Sequence, residues 1–394
     1  MNALMRMSMA GGAPAFGTVA AAGAMQGQWV YDITKQTTNN LFVGSAGQGG
    51  QFYCSKINRS TNAVNVTTLA TREVDDHNVP AFLQQADGKI RAIYSRHGIA
   101  SVMYMRLSAS SDSDDWGTET SFATSGNATY AQAFLNGTRA WLLYRVADGG
   151  SGHWVIRYSD DYGATWSAEV NLTEIPYLNA RLSGGILRIA MYEHPYSGSD
   201  HDIYGFRITL STGAVNDDNG ALLGNVLTDT GLPVTQAESH KLVDVTSGST
   251  RMYDYSVDGN SVLASEFPDA NSGTYYRYTY ASATGLSTKL AICSSGPAFF
   301  SSVSNYFASC CFKDGDVNTV YAARNMGPAV GIGNYVIEEY SLSSGVAVKV
   351  RTIHRSTNIL CRLYHRDGRL FWSEVTSYPT FSTFRGDLKF VAAT

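Results

Sequence analysis

Hydrophobic and polar residues alternate along most of the chain in short runs, and turns that contain glycine separate these runs. Residues 80–98 show the pattern clearly: an apolar run, a turn with Gly88, and a second apolar run that ends in Tyr94. Residues 131–150 and 180–195 repeat the same order. Alternation with a period of two, bounded by turn residues, predicts β-strands, because successive side chains of a strand point to opposite faces.

The repeats follow one another at roughly 45 to 60 residues, and each has room for about four short strands. This spacing predicts an all-β fold: a single β-propeller of four-stranded antiparallel blades, with seven blades as the first choice and six as the second. The last blade is expected to take strands from both ends of the chain. We assign residues 28–394 to the propeller and interpret residues 1–27 as a flexible leader or attachment arm, with a signal peptide as the alternative.

The composition supports this fold and limits the classes of partner that the protein could bind. The 394 residues include Gly 38, Tyr 24 and Phe 16, and only 16% are charged, which disfavours helical bundles, coiled coils and disordered chains. A net charge of −4 provides no basic field for nucleic acid. Without a run of about 18 apolar residues, the sequence predicts no membrane insertion. The five cysteines include no CxxC pair, so neither a zinc ribbon nor a disulfide framework is indicated.

A short turn sequence is the strongest indication of the fold. Residues 159–166, SDDYGATW, match the pattern S-x-D-x-G-x-x-W, which is the Asp-box of BNR repeats. We expect Asp161 to accept hydrogen bonds from the amides of the turn, Gly163 to adopt a positive φ, and Trp166 to fill the space between strands. Residues 110–117, SSDSDDWG, read as a degenerate second copy. The box is therefore interpreted as structural.

Two further segments make the likeness more specific: DDHNVP at residues 75–80 and YSRHG at residues 94–98. Together with the Asp-box they resemble the BNR-repeat family that includes the ulvan-lyase-type polysaccharide lyases. The resemblance covers most of the chain from about residue 28. It implies a seven-bladed propeller that cleaves a sulfated, uronate-containing polysaccharide by β-elimination.

The same resemblance implies the catalytic residues. His77 and His97 match a pair of histidines about twenty positions apart that flank the family's active site on one blade. Tyr144 and Arg157 match the tyrosine and arginine that the next blade supplies. The positions of these residues at strand ends predict that all four side chains face one mouth of the propeller channel.

The chemistry of β-elimination suits these residue types. The reaction needs a group that neutralises the uronate carboxylate, a base for the C5 proton, and an acid for the leaving oxygen. The donor fork of Arg157 suits the first task, and the phenol of Tyr144 suits the last. Either His77 or His97 is expected to act as the base, while the other histidine helps to bind the carboxylate. This scheme requires no cofactor or metal, and a structural calcium or zinc ion stays compatible with the sequence.

Other side chains are candidates for binding the substrate. Tyr192 and Tyr196 compete for a further site tyrosine on the following blade. Tyr144 and Arg157 recur at the same positions of other repeats, which is also typical of residues that pack blades together. The remaining candidates for substrate binding are two histidines, an arginine and an asparagine: His194, His240, Arg96 and Asn78.

The sequence thus predicts a lyase, or depolymerase, that acts on an anionic polysaccharide outside the cell, either secreted or virion-associated. Assembly into a homo-oligomer or a virion is compatible with this prediction. Two alternatives stay open. The first is a non-catalytic propeller for glycan binding or virion attachment. The second is a sialidase-like hydrolase, which would need three arginines on the substrate carboxylate and an Arg-Ile-Pro-type segment that this sequence lacks.

Overall fold

The computed structural model describes residues 20–24, 34–147, 152–193, 202–245, 248–281, 284–301, 305–331, 333–380 and 382–392. These residues form antiparallel strands joined by turns, with no helix in the described ranges. Accordingly, none of the described residues belong to a helix that could cross a membrane. Of the eight sheets in these ranges, seven have four or more strands and follow one another along the chain as blades, which confirms the predicted all-β propeller and the first choice of seven blades.

Blades 1, 2 and 3 are four-stranded meanders in chain order. Their strands are β2 (Thr34–Gln36), β3 (Asn40–Ala46), β4 (Gln51–Asn58) and β5 (Val64–Thr71); β6 (Ala81–Gln84), β7 (Ile90–Tyr94), β8 (Val102–Leu107) and β9 (Thr120–Ala123); and β10 (Asn127–Asn136), β11 (Arg139–Ala147), β12 (His153–Ser159) and β13 (Val170–Thr173).

Blade 4 contains six strands, because the outer edge of its third strand is shared by a hairpin and a separate strand. Its strands are β14 (Tyr177–Ser183), β15 (Ile186–Tyr192), β16 (Ile203–Thr209), β17 (Ala214–Asn216), β18 (Leu222–Asn225) and β19 (His240–Val243). In this blade, β19 pairs with the beginning of β16 and β17 pairs with its end.

Blades 5 and 6 return to the four-stranded form, and a short hairpin lies between them. Their strands are β20 (Ser249–Tyr255), β21 (Ser261–Phe267), β22 (Thr274–Ala281) and β23 (Leu286–Ser294); the hairpin β24 (Phe300–Ser301) and β25 (Asn305–Tyr306); and β26 (Cys310–Lys313), β27 (Asp316–Asn325), β28 (Tyr335–Ser341) and β29 (Val348–Ser356).

Blade 7 takes its strands from both ends of the chain, as predicted. It consists of β30 (Ile359–Arg366), β31 (Arg369–Thr380), β32 (Thr383–Ala392) and, at its outer edge, β1 (Ala20–Ala24). The backbone of β1 pairs antiparallel with β32, with Ala20 opposite Phe390. Since β1 lies within residues 1–27, part of the segment assigned to a leader belongs to the propeller, and the boundary at residue 28 is corrected accordingly. Residues 1–19 lie outside the described ranges.

The first strand of each blade is the innermost, and neighbouring blades meet through these strands. β2 contacts β6, β6 contacts β10, β20 contacts β26, and β26 contacts β30. The inner strands line the central channel and all run along it in the same direction, as is usual in propellers. We call the end where they begin the amino mouth and the end where they finish the carboxyl mouth.

The Asp-box has the predicted geometry and lies in the turn after β12, on the side of the propeller where the inner strands finish. Asp161 accepts hydrogen bonds from the backbone N–H of Thr165 at 2.8 Å and from the Ser159 hydroxyl at 2.6 Å. Gly163 has a φ of 83°. Trp166 packs toward blade 2 and donates a hydrogen bond to the sulfur of Met105 at 3.4 Å. The box therefore stabilises the turn and the contact between blades.

Candidate functional site

Two histidines stack on each other at the amino mouth. His77 lies between β5 and β6, and His97 lies in the loop between β7 and β8. Their ring centroids are 4.0 Å apart. Both Nδ1 atoms face the carboxylate of Asp75, at 2.5 Å for His77 and 2.9 Å for His97. The shared carboxylate fixes the orientation of both rings, and Nε2 is the ring nitrogen that Asp75 does not bind.

A second carboxylate connects this loop to the last blade. Asp76 is fully buried and accepts hydrogen bonds from the Arg362 guanidinium at 2.5 Å and from the Tyr378 hydroxyl at 2.7 Å. It also lies 2.9 Å from His77 Nδ1. Charge-assisted hydrogen bonds of this kind are short and directional. The position of the histidine pair therefore depends on residues from both blade 2 and blade 7.

The surroundings give the two histidines different charge states. Burial disfavours the charged ring of His77, but the Asp76 charge and the hydrogen bonds with Asp75 and Asp76 outweigh it and raise the pKa of His77 to about 9. Burial and the neighbouring His77 charge lower the pKa of His97. At neutral pH, His77 is thus charged and His97 is neutral. The His97 side chain is also the more accessible of the two, 24% exposed against 6%.

A tyrosine from blade 3 lies against both histidines. Tyr130 is in β10, where the pairing is interrupted by a bulge between Thr129 and Gln132, and its φ is 57°. A positive φ at a non-glycine residue is uncommon and concentrates at functional sites. The Tyr130 ring centroid is 5.6 Å from that of His77 and 5.8 Å from that of His97. The bulge therefore directs this phenol toward the histidine pair.

An arginine and a second tyrosine extend the site toward blade 4. The guanidinium carbon of Arg145, near the end of β11, is 6.0 Å from the Tyr130 ring centroid and 5.7 Å from that of Tyr177. The Tyr130 and Tyr177 centroids are 6.3 Å apart. Burial raises the pKa of Tyr177 to about 12, against the opposing effect of the Arg145 charge. We call His77, His97, Tyr130, Arg145 and Tyr177 the histidine cluster.

Another arginine–aromatic pair lies beside this cluster. The guanidinium carbon of Arg251, in β20, is 4.4 Å from the ring centroid of Tyr306, in the hairpin between blades 5 and 6. The Tyr306 ring is 6.3 Å from that of Tyr378, which bonds to Asp76. The charge on Arg251 also acts to lower the pKa of Tyr177. Cationic and aromatic groups from several blades therefore surround the amino mouth.

The structure places Tyr144 and Arg157 away from the histidine cluster. Tyr144 is fully buried between blades 2 and 3, where its hydroxyl donates to Glu169 and accepts a hydrogen bond from Arg157 Nε at 2.8 Å. In β11, Tyr144 and Arg145 are neighbours, so their side chains point to opposite faces of the blade. The prediction that Tyr144 faces the mouth is therefore corrected: Arg145, on the other face, contributes to the cluster.

The Tyr144 arrangement recurs in blade 2. The Tyr94 hydroxyl donates a hydrogen bond to Glu119 at 2.7 Å, and the Arg106 charge acts on the same phenol. A buried tyrosine, an arginine on the next strand and a glutamate before the last strand thus form a repeated structural group. This repetition accounts for the tyrosine and arginine positions that blades 2 and 3 share in the sequence.

The other predicted residues are distributed over the molecule. Tyr192 is buried, with 4% of its surface exposed, and its ring stacks on that of Tyr177 with centroids 5.4 Å apart. It therefore packs against the histidine cluster. His194 and Tyr196 lie outside the described residues. His240 does not reach the mouth: it begins β19 at the outer edge of blade 4, where its Nε2 lies 2.6 Å from Asp218.

The two remaining predicted residues belong to the loops that hold the histidines. Asn78 is buried, and its side-chain oxygen accepts a hydrogen bond from the backbone N–H of His97 at 2.9 Å. Arg96 Nε donates to Glu73 at 2.6 Å. Asn78 therefore positions His97, while Arg96 is engaged in an ion pair beside it.

One group of side chains among the described residues could hold a metal ion. Asp75, His77 and His97 each offer a ligand atom, and these atoms lie within 4.8 Å of one another. One carboxylate and two imidazoles are a donor set that suits zinc. A metal ion at the Nδ1 atoms would replace the hydrogen bonds that Asp75 accepts from both rings.

Sequence comparison identifies the family. A model of the BNR repeat-containing family matches residues 39–289, which is more than half of the chain. The chain belongs to this family. A comparison with curated proteins gives no match.

This BNR-repeat protein is similar in fold to solved polysaccharide lyases. A PL25 ulvan lyase, solved bound to -[GlcA(1-4)Rha3S]-, is 14% identical with a TM-score of 0.67, and the match covers 96% of this chain and 94% of that chain. The polysaccharide lyase Uly1 is 11% identical with a TM-score of 0.54, and 97% of each chain is covered. At these identities the likeness shows the fold alone.

The BNR repeat itself contains a signal for the residues that the sequence analysis missed. Tyr130 and Tyr177 both lie in the innermost strand of their blade, near its beginning, in blades 3 and 4. Aligning the repeats on these first strands, rather than on the tyrosines that end the second strands, places both phenols at the amino mouth. The bulge at Tyr130 has no sequence signature of its own.

Proposed function

We propose that the protein is a polysaccharide lyase that cleaves an acidic, uronate-containing polysaccharide by β-elimination. The observation that carries this proposal is the composition of the histidine cluster. It combines a neutral imidazole, a charged imidazole, a phenol and a guanidinium at one mouth of the propeller. These are the acid, base and carboxylate-binding groups that the reaction needs.

In this proposal, the uronate carboxylate binds to the Arg145 guanidinium and to the charged ring of His77. Two positive charges stabilise the enolate-like state that forms when the C5 proton leaves, so they lower the barrier to proton abstraction. Asp75 and Asp76 hold His77 in its charged form through the raised pKa of that ring.

The neutral ring of His97 is the base. Its Nε2 takes the C5 proton, the electron pair forms the C4–C5 double bond, and the bond between C4 and the glycosidic oxygen breaks. The Tyr130 hydroxyl gives its proton to the leaving oxygen. Transfer of the proton from His97 to the Tyr130 oxygen then restores both groups for the next cycle.

The substrate class follows from the charge of the site and from the related folds. A PL25 ulvan lyase was solved with -[GlcA(1-4)Rha3S]- bound, so ulvan is the first polysaccharide to test here, with unsulfated polyuronates as the comparison. A polysaccharide of this kind is met outside the cell. We therefore infer an extracellular role, as a secreted or virion-associated enzyme.

The test follows the ultraviolet absorbance of the unsaturated uronate that β-elimination leaves on the product. We expect the wild-type protein to produce this absorbance from a uronate polysaccharide and His97→Ala to abolish it. His354→Ala is the matched control, because His354 lies in the outermost strand of blade 6. That variant should retain the wild-type rate.

Other outcomes would overturn the proposal in distinct ways. New reducing ends without the absorbance would indicate hydrolysis, as in the sialidase-like alternative. Polysaccharide binding without any product would indicate a recognition propeller. Full activity of His97→Ala would remove that histidine from the role of base.

A further inference from the structure

The carboxyl mouth of the channel, opposite the histidine cluster, contains a cavity that the proposed function does not use. It has a volume of about 290 Å³ and is lined by the ends of inner strands from blades 4, 5, 6 and 7. A second cavity of about 210 Å³ adjoins it and is lined by blades 1 to 4. Arg181, Val257 and Arg366 line both cavities. Ligand sites in proteins are concave pockets that begin at about this size.

The carboxylate of Asp254, near the end of the inner strand of blade 5, is already fully engaged. Asp254 bonds to the guanidinium of Arg181, and it accepts hydrogen bonds from the backbone N–H of Tyr255 at 2.8 Å and of Phe312 at 2.9 Å. Asp254 is 8% exposed. Its charge is therefore neutralised within the wall of the cavity.

The other acidic residues of the lining are also engaged. Asp258 bonds to the Ser256 hydroxyl and to the Asn260 amide, and Asp316 accepts hydrogen bonds from the Asn318 amide at 2.9 Å and the Thr319 hydroxyl at 2.7 Å. The lining acids therefore stabilise the surrounding turns. A third, Asp314, lies 3.2 Å from Arg366 Nη1.

Two other side chains of the cavity, His365 and Lys313, can still donate hydrogen bonds. His365 is 8% exposed, and its Nδ1 accepts a hydrogen bond from the backbone N–H of Asp314 at 3.0 Å. Burial lowers the pKa of His365 to about 4, so the ring is neutral. Because Nδ1 is the acceptor, the ring proton is on Nε2. Lys313 is half-buried, and within the described ranges its ammonium has no hydrogen bond or ion pair.

We propose that the carboxyl mouth binds a small oxyanion, a carboxylate, sulfate or phosphate group carried by a ligand no larger than a sugar, between the Lys313 ammonium and the His365 Nε2–H. The carboxylates of the cavity are engaged by its own turns and by the guanidinium groups of Arg181 and Arg366. The Lys313 ammonium and the His365 Nε2–H remain as donors. A ligand rich in acceptors therefore complements the cavity. Arg366 lies at the edge of the cavity, where its charge is balanced by Asp314.

This site is separate from the proposed lyase chemistry. The inner strands begin at the histidine cluster and end at Lys313 and Arg366, so their length lies between the two sites. Its occupation does not depend on whether the protein cleaves a polysaccharide.

The test is isothermal titration calorimetry of the full chain with three probes: sodium sulfate, inorganic phosphate and free glucuronate. We expect one site with a Kd below about 1 mM for at least one probe. Lys313→Met should weaken this binding at least tenfold, and His365→Phe should weaken it in the same direction. Lys89→Met is the control, since Lys89 is a surface lysine that pairs with Asp87; it should bind as the wild type does.

Binding of all three probes to a similar extent would identify a general oxyanion site, and preference for glucuronate would identify a sugar acid. The proposal fails if no probe binds in the millimolar range or if Lys313→Met binds as tightly as the wild type. It also fails if His97→Ala abolishes the binding, because the probes would then occupy the histidine cluster. Thermal unfolding of each variant distinguishes lost binding from lost folding.

Discussion

Two tyrosines of blade 3 provide a direct test of which face of the blade is catalytic. Tyr130 lies against both histidines, whereas Tyr144 is buried between blades 2 and 3. Each is replaced by phenylalanine, so that only the hydroxyl is lost. If Tyr130 protonates the leaving oxygen, Tyr130→Phe should lower kcat/KM by about 10²- to 10⁴-fold, which is roughly 3 to 5 kcal/mol of transition-state stabilisation.

Tyr144→Phe should instead affect stability. The Tyr144 hydroxyl donates to Glu169 and accepts from Arg157 Nε, and a direct contact of 3.0 Å between Arg157 Nη2 and Glu169 remains after its removal. Losing hydrogen bonds to charged groups while keeping that ion pair should cost about 1 to 3 kcal/mol. For a chain of this size the cost corresponds to a fall of about 1 to 4 °C in Tm.

The assay measures the initial rate of unsaturated-uronate formation at subsaturating substrate, together with thermal unfolding of both variants. We expect opposite patterns: Tyr130→Phe loses activity with little change in Tm, and Tyr144→Phe loses stability with activity near that of the wild type. The reverse pattern would refute the assignment and return the acid role to Tyr144. Wild-type activity of both variants would show that neither Tyr130 nor Tyr144 is the acid.

Three further predictions concern pH, metal and the Asp-box. The acid limb of the pH profile of kcat/KM should lie below pH 6.5, because His97 must be neutral and its pKa is lowered. The alkaline limb should lie near pH 9, where His77 loses its charge. A profile that rises steadily through pH 9 would contradict these roles. Zinc should inhibit the activity and a chelator should restore it, since Asp75 and both histidines can bind the ion. Calorimetry should detect zinc binding to the wild-type protein that His97→Ala abolishes. Unchanged zinc binding by His97→Ala would refute the site. Asp161→Ala should destabilise the fold by about 1 to 3 kcal/mol with activity retained, because the Asp-box lies on the opposite side of the propeller from the histidine cluster; loss of activity at constant Tm would contradict this.

Most of the fold could be predicted from the sequence, because the repeats and the Asp-box are local patterns. Period-two alternation, turn glycines and the SDDYGATW turn each depend on residues close together in the chain. The histidine pair could also be predicted from the sequence, since His77 and His97 lie on one blade and their spacing matched that of a known family. Closure of the last blade by strands from both chain ends followed from the general architecture of propellers, although β1 lies in the segment that was assigned to a leader.

The remaining site residues could not be predicted because their positions depend on register. A shift of one residue in β11 exchanges Tyr144 for Arg145, and a period of two does not determine which face meets the mouth. The bulge at Tyr130 interrupts that period without a glycine or proline to mark it. The extra strands of blade 4 place His240, a candidate for substrate binding, at an outer edge.

The bond between Asp76 and Arg362 has a consequence for the order of folding. These residues are 286 positions apart. Asp76, which helps to hold His77 in its charged form, therefore cannot pair with Arg362 until nearly the whole chain has been synthesised. Contacts of such long range form late, because the entropy of closing the loop is lost before the contact repays it. A nascent chain that already has blades 2 and 3 therefore contains the proposed base and acid, but not yet the ion pair that fixes the charge of His77 beside them.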